Sequence, residues 1–209
     1  MFLRYRLAFL ALCSFLFLPF TAQAWDFDLI VGGYLPSSQA TGEFADSYNF
    51  SGYGPGFHLS TKFTLWDHIT IAREANASLM KVKPKNQINT TNSTEPDYEL
   101  MVGAGAFMLG LSFGDETRFN VEVGIPENGA LTMTEKSQTT SNGSSETNTS
   151  YTTDSKSQIY GASIDFGGQG SGMYLTYRHI KITADNAWET GQDLVITSNS
   201  LGASFRYRW

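Results

Sequence analysis

Cysteine is almost missing from this chain of 209 residues, and the single one, Cys13, sits in its opening stretch. That stretch, MFLRYRLAFLALCSFLFLPFTAQA, has Arg4 and Arg6, an apolar run from Leu7 to Phe20, and the small-x-small triplet Ala22-Gln23-Ala24. The pattern is that of a secretory signal peptide over residues 1–24, cleaved to leave Trp25 first. Leu12 stands where a lipoprotein signal would place a small residue before its cysteine. The mature chain is thus expected to hold no disulfide and no thiolate metal site. Positive charge is scarce as well, with 14 basic against 20 acidic residues and a formal net charge of −6. A nucleic-acid partner needs a basic stripe, so that class is excluded. After residue 24 no segment approaches the roughly 20 consecutive apolar residues of a membrane helix. His58, His68 and His179 stand apart without ligand spacing, so neither a metal nor any other cofactor is expected.

What is present is alternation. WDFDLIVGGYL puts Trp25, Phe27, Leu29 and Val31 opposite Asp26, Asp28 and Tyr34. GFHLSTKFTL sets Phe57, Leu59, Phe63 and Leu65 against His58, Ser60, Lys62 and Thr64. Ile69 to about Lys81 continues in the same way, with Glu74 on the polar face, and YELMVGAGAFMLGLSF follows with an ambiguous phase at its end. RFNVEVGI carries Glu122, IYGASIDF carries Asp165, the segment from Met173 carries Arg178, and the last runs from Val195 to Trp209. A period of two predicts strands, and there are eight such segments.

The connections alternate in length: long stretches at about 36–52, 82–97, 126–157 and 183–193 are separated by short turns. In an up-and-down meander this sends every long loop to one end and every short turn to the other. The fold expected for residues 25–209 is therefore all-β, an eight-stranded antiparallel up-and-down transmembrane β-barrel. Closure removes the strand edges that lipid would not tolerate. A soluble secreted barrel of the lipocalin kind shares the alternation but points its apolar face inward.

The ending SLGASFRYRW places Phe205, Tyr207 and Trp209 on one face and Arg206 and Arg208 on the other. It resembles the C-terminal signature of bacterial outer-membrane barrels, with Trp in place of the usual Phe. The whole mature chain resembles the eight-stranded superfamily that includes OmpA, OmpX and OmpW, by architecture and without a motif that assigns a subfamily. The resemblance implies a Gram-negative outer membrane, insertion by the barrel assembly machinery, contact with outer-membrane lipids and lipopolysaccharide, and a monomer.

On this phasing Asp26, Asp28, His58, Lys62, Glu74, Glu122, Arg178 and Arg206 face the lumen, joined by Asp165 and by Arg118 and Arg208 nearer the rim. The bore of eight strands is just wide enough for side chains, so opposite charges are expected to pair and plug it. Inward small residues at Gly103, Gly105, Gly124, Gly161 and Gly202 would instead leave room for a passive channel, as in the OmpW branch. A lipid-modifying enzyme is a third reading. The lipid A 3-O-deacylases place a Ser two residues after their catalytic His, but here Lys181 follows His179, so no enzyme is expected. The Ser/Thr/Asn-rich stretch TEKSQTTSNGSSETNTSYTTDSKSQ has little apolar surface and is expected to be a mobile loop displayed to an extracellular ligand that the sequence does not identify. A transmembrane barrel resists unfolding by cold SDS, so the mature protein should migrate differently in unboiled and boiled gel lanes. Identical migration would contradict the barrel.

Overall fold

The computed structural model describes residues 25–51, 54–85, 97–140 and 144–209. The leader 1–24 lies outside them, as does the centre of the second long connection. The strands are β1 (Trp25–Thr41), β2 (Tyr48–Ser51), β3 (Gly56–Leu65), β4 (Ile69–Pro84), β5 (Asp97–Phe113), β6 (Thr117–Thr140), β7 (Ser144–Phe166), β8 (Gly170–Ala184) and β9 (Leu194–Arg208). A short helix, α1 (Glu43–Ser47), and a 3-10 turn at Ala187–Glu189 lie in the first and last long connections.

Eight strands form a closed antiparallel ring in the order β1, β3, β4, β5, β6, β7, β8, β9 and back to β1. The closing seam pairs Asp28 with Arg208 and runs up to Thr41 opposite Val195. Beyond it, the Trp209 amide donates to the Phe27 carbonyl at 3.0 Å. The ninth strand, β2, is an addition to the eight expected: it lies in the first long connection and pairs with the loop end of β4 at Val82 and Lys83.

The short turns follow turn chemistry. Leu65 and His68 close a two-residue hairpin whose central residues, Trp66 and Asp67, both have positive φ, the twist that two right-handed strands require. Gly114 takes φ 97° at the next short turn.

Two stretches expected to be loops are strand instead. β1 continues past Pro36 to Thr41 because β9 supplies a full ladder beside it. The stretch 126–157 is mostly a long β6–β7 hairpin, not a mobile loop. Thr and Ser suit a strand when hydroxyls meet across it, and Thr132 lies 3.1 Å from Thr152 and Thr134 lies 3.0 Å from Ser150. Pro126 opens the stretch expected to be a loop. It sits at a bulge, where β6 carries one extra residue between Val123 and Ala130 relative to both neighbours, and a bulge tolerates the missing amide. The bulge also shifts the phase. Asn120 and Glu122 point inward before it, and Leu131 and Met133 after it.

The inside has two regions. Toward the short turns it is polar. Toward the long loops it is apolar, lined by Met80, Val82, Leu100, Leu131, Ile182 and Ile196 among others. The loops close this apolar end: Phe44 of α1 is buried, stacks on Tyr48 at 4.7 Å and packs against Trp188 at 4.9 Å. The Phe44 amide donates to the Asp193 carbonyl, and Lys85 donates to the Ala45 carbonyl, so the cap is tied to two other connections. Truncating Phe44→Ala should destabilise the folded barrel by about 3 kcal/mol, the usual scale for a buried Phe. Urea unfolding in detergent micelles reads this, and an unchanged midpoint would mean the cap is not packed.

Candidate functional site

The ring sorts side chains by parity, so the polar face of every strand converges on the lumen axis. Asp28, His58, Lys62, Glu74, Glu122, Asp165, Arg178, Arg206 and Arg208 are all buried there. Asp26 and Arg118 sit half-shielded at the short-turn rim. The cations and carboxylates meet in two layers.

The layer nearer the short turns is built on Arg208. Its Nε and Nη2 donate to the two oxygens of Asp28 at 2.7 and 2.8 Å, and Nη2 also reaches Asp165 at 2.8 Å. Arg206 donates to the other oxygen of Asp165 at 2.7 Å. Its remaining donors meet the carbonyls of Gly167, Gly168 and Gly170, so the side chain holds the β7–β8 turn. At the rim Arg118 joins Asp26 at 2.8 Å to Asp67 of the β3–β4 turn at 3.0 Å.

The layer above is built on Arg178. Its Nε lies 3.0 Å from each oxygen of Glu74, and its Nη2 donates to Glu74 at 2.9 Å and Glu122 at 2.6 Å. Asn76 donates to Glu74 at 2.9 Å. His58 Nδ1 lies 3.3 Å from the Ser204 hydroxyl, and its Nε2 lies 3.4 Å from Glu74 without hydrogen-bond alignment.

Lys62 and Tyr174 join the layers. The Lys62 ammonium donates to the Tyr174 hydroxyl at 3.2 Å, lies 4.7 Å from the ring centroid, and is 3.9 Å from Asp28. Ser163 donates to the same hydroxyl at 2.6 Å. Tyr174 is absent from the residues picked out of the sequence, though it shares parity with Thr176 and Arg178.

Two of the small inward residues are crowded by their neighbours. An added Cβ at Gly161 would meet the Tyr177 carbonyl and the Arg178 side chain, and one at Gly202 would meet the Gly33 carbonyl, Tyr34 and Thr176. Gly103 and Gly105, expected inside, lie on the outer face, because Leu100, Val102, Ala104 and Ala106 take the inward positions. The reversal follows from a strand apolar on both faces: the apolar loop-end lumen accepts the larger side chains. Where the two lumen regions meet, a cavity of about 10 Å³ bounded by Tyr34, Asn76, Ser78 and neighbours is about the size of one water molecule.

The outside is the converse. Phe57, Leu109, Val123, Ile125, Leu175 and Leu201 stand exposed on a continuous apolar wall. Phe205, Tyr207 and Trp209 are 79%, 49% and 59% exposed, and the Trp209 ring lies 5.2 Å from Phe27 and 4.5 Å from Tyr207. Arg73, a cation on the outward face of β4, is paired with Glu127 just past the β6 bulge. His179 also faces outward, stacked on Tyr160 at 4.5 Å and 2.8 Å from Asn199. A soluble barrel would bury its apolar face, and water would not tolerate an apolar belt of this extent.

A closed ring with paired charges inside and an apolar belt outside is a transmembrane β-barrel. The chain has the fold of the eight-stranded outer-membrane β-barrels, with no subfamily assigned. No protein-family model matches it, and no characterised protein matches it in sequence. Among solved structures it is similar to Ail, the attachment invasion locus protein of Yersinia pestis, at 11% identity over 88% of this chain and 100% of that one, with a TM-score of 0.55. It is also similar to the outer membrane protein OprG from Pseudomonas aeruginosa, at 8% identity over 89% and 96% of the two chains, with a TM-score of 0.46. Neisserial surface protein A aligns at 14% identity over 87% and 96%, with a TM-score of 0.41. At these identities the likeness is one of fold.

Removing one partner of a buried pair leaves an uncompensated charge, which costs about 3–5 kcal/mol. Asp28→Asn, which strips Arg208 of its bidentate partner, should therefore lower unfolding stability in micelles by about that amount. A loss below about 1 kcal/mol would show that the pair is solvated.

Proposed function

We propose that this chain is a Gram-negative outer-membrane protein whose role is structural or surface-interacting, with a lumen closed to solutes and a loop end that meets the outside. The observation that carries the reading is the pairing, inside the bore, of Arg178 with Glu74 and Glu122 and of Arg208 with Asp28 and Asp165. Each buried cation has a carboxylate or a hydroxyl to hold it, the state in which buried charge is tolerated. The apolar cap above adds a second closure.

Residues 1–24 act as the export signal, and Phe205, Tyr207 and Trp209 act as the assembly signal read by the barrel assembly machinery. Lipid and lipopolysaccharide are the surrounding partners. Lys83 and Lys181 project outward at the loop end, where phosphorylated headgroups would lie. The closed ring leaves no wall strand unpaired along the seam, which favours a monomer. An enzymatic role has little support, because His179 has Tyr160 and Asn199 as partners but no serine nucleophile at the expected position.

A passive channel is the competing reading, and conductance separates the two. Folded protein in a planar lipid bilayer should give no discrete openings. Reproducible unitary steps from protein verified as folded by its gel shift would favour the channel.

A further inference from the structure

The polar half of the lumen is filled unevenly. On the side of β7, β9 and β1, Arg206 and Arg208 occupy the space together with Asp165 and Asp28. The wall from β3 to β6 carries short side chains toward the short turns: Thr64, Thr70, Ser112 and Asn120. They are 2%, 1%, 0% and 0% exposed, so bulk solvent reaches none of them. Register places them side by side. Thr64 lies opposite Thr70 across the β3–β4 ladder, and Ser112 lies opposite Asn120 across the β5–β6 ladder. Thr70 also lies opposite Gly110 of β5, where an added Cβ would come 2.6 Å from the Thr70 hydroxyl. That hydroxyl thus reaches over β5 toward the second pair.

Each of the four carries a side-chain oxygen with no hydrogen-bond partner among the described residues: Oγ1 of Thr64 and Thr70, Oγ of Ser112 and Oδ1 of Asn120. The Asn120 amide nitrogen is engaged, donating to Ser163 at 3.3 Å, so its oxygen is the free end. Arg118, two residues nearer the rim on β6, adds an unpartnered donor. Its Nη atoms donate to Asp26 and Asp67, while its buried Nε has no partner among the described residues. Running from β6 to the β3–β4 turn, the Arg118 side chain bridges the short-turn mouth below this wall. A buried polar atom left unpaired costs its full desolvation, and folded proteins keep few of them. Five on adjoining strands point to a bound molecule that pairs with them.

That molecule has to donate to the oxygens, accept from the Arg118 Nε–H and bring no charge. The charged groups that border the wall, Lys62, Glu122 and Arg118, are already held by Asp28, Arg178 and Asp26, so an added ion of either sign would go unpaired. We infer that ordered water is bound in this corner of the lumen, hydrogen-bonded to Thr64, Thr70, Ser112 and Asn120 and shut in by Arg118. A buried water needs roughly 2–4 polar partners, and these residues supply them. The polar half is then packed in two ways, by ion pairs against β7, β9 and β1 and by water against β3 to β6.

A crystal structure of the folded mature protein, at a resolution that places water, tests this directly. Water density within hydrogen-bond distance of Thr64 Oγ1, Thr70 Oγ1 and Asn120 Oδ1 is expected. A wall packed dry, or a peak coordinated as a metal ion, would overturn the inference. Stability gives an independent reading through Thr64→Val/Thr70→Val, which replaces two hydroxyls by methyls of nearly the same shape. With water bound, the double variant strips it of two partners, and the urea midpoint in micelles should fall by roughly 0.5 M. With the hydroxyls buried dry, the same change removes two unpaired polar groups and the midpoint should rise. An unchanged or raised midpoint, in protein verified as folded by its gel shift on heating, would therefore also overturn it.

Discussion

The structure depends on one guanidinium, that of Arg178, held between Glu74 and Glu122 in the middle of the lumen. A barrel of eight strands has to fill its bore, and a chain in lipid has to hide whatever is polar. Putting charge on the axis meets both demands only if every charge finds a partner. Arg178 ties β8 to β4 and β6, which are not neighbours in the ring, so its contacts brace the wall across its width. Lower down, Arg208 of β9 holds its ring neighbour β1 through Asp28 and reaches past β8 to Asp165 of β7. In lipid the apolar wall has no hydrophobic gain from folding inward, so these cross-lumen contacts hold the shape that the ladder hydrogen bonds close.

The lumen is not polar throughout. Its loop end is an apolar core of ordinary kind, sealed by Phe44 and by Ala187. This divides the labour. The polar half fixes which strands oppose one another, because a guanidinium fork meets a carboxylate in few geometries. The apolar half anchors the connections, so that α1, β2 and the β8–β9 connection are packed against the barrel mouth.

Much of this was legible in the sequence because parity is a strong signal. Asp28, Glu122 and Arg206 sit between apolar neighbours, and Lys62, Glu74 and Arg178 hold the polar parity of their own segments, so alternation assigns all six to one side. The lipid reading of the other side rested on Phe205, Tyr207 and Trp209 with the asymmetry of the connections. What stayed hidden did so for physical reasons. In β5 both faces are apolar, so Leu100 and Gly103 carry no parity label, and only the apolar cap above decides which points inward. In β6 a single bulge at Pro126 reverses the phase, and a proline read locally marks an end rather than a bend. Thr and Ser in the β6–β7 hairpin look like a solvated loop until a second strand brings hydroxyls opposite hydroxyls. The cap residue Phe44 sits in a five-residue helix too short to leave a periodic trace.

The central claim is that the buried charges act as pairs and brace the barrel. A double-mutant cycle on Glu74→Gln and Arg178→Met, read as unfolding free energy in micelles, tests it most directly. The account predicts that each single change is strongly destabilising and that the double variant, in which Glu122 still lacks Arg178, loses less than the sum of the two, for a coupling of about 2–3 kcal/mol. A coupling near zero, with the two losses simply additive, would contradict it.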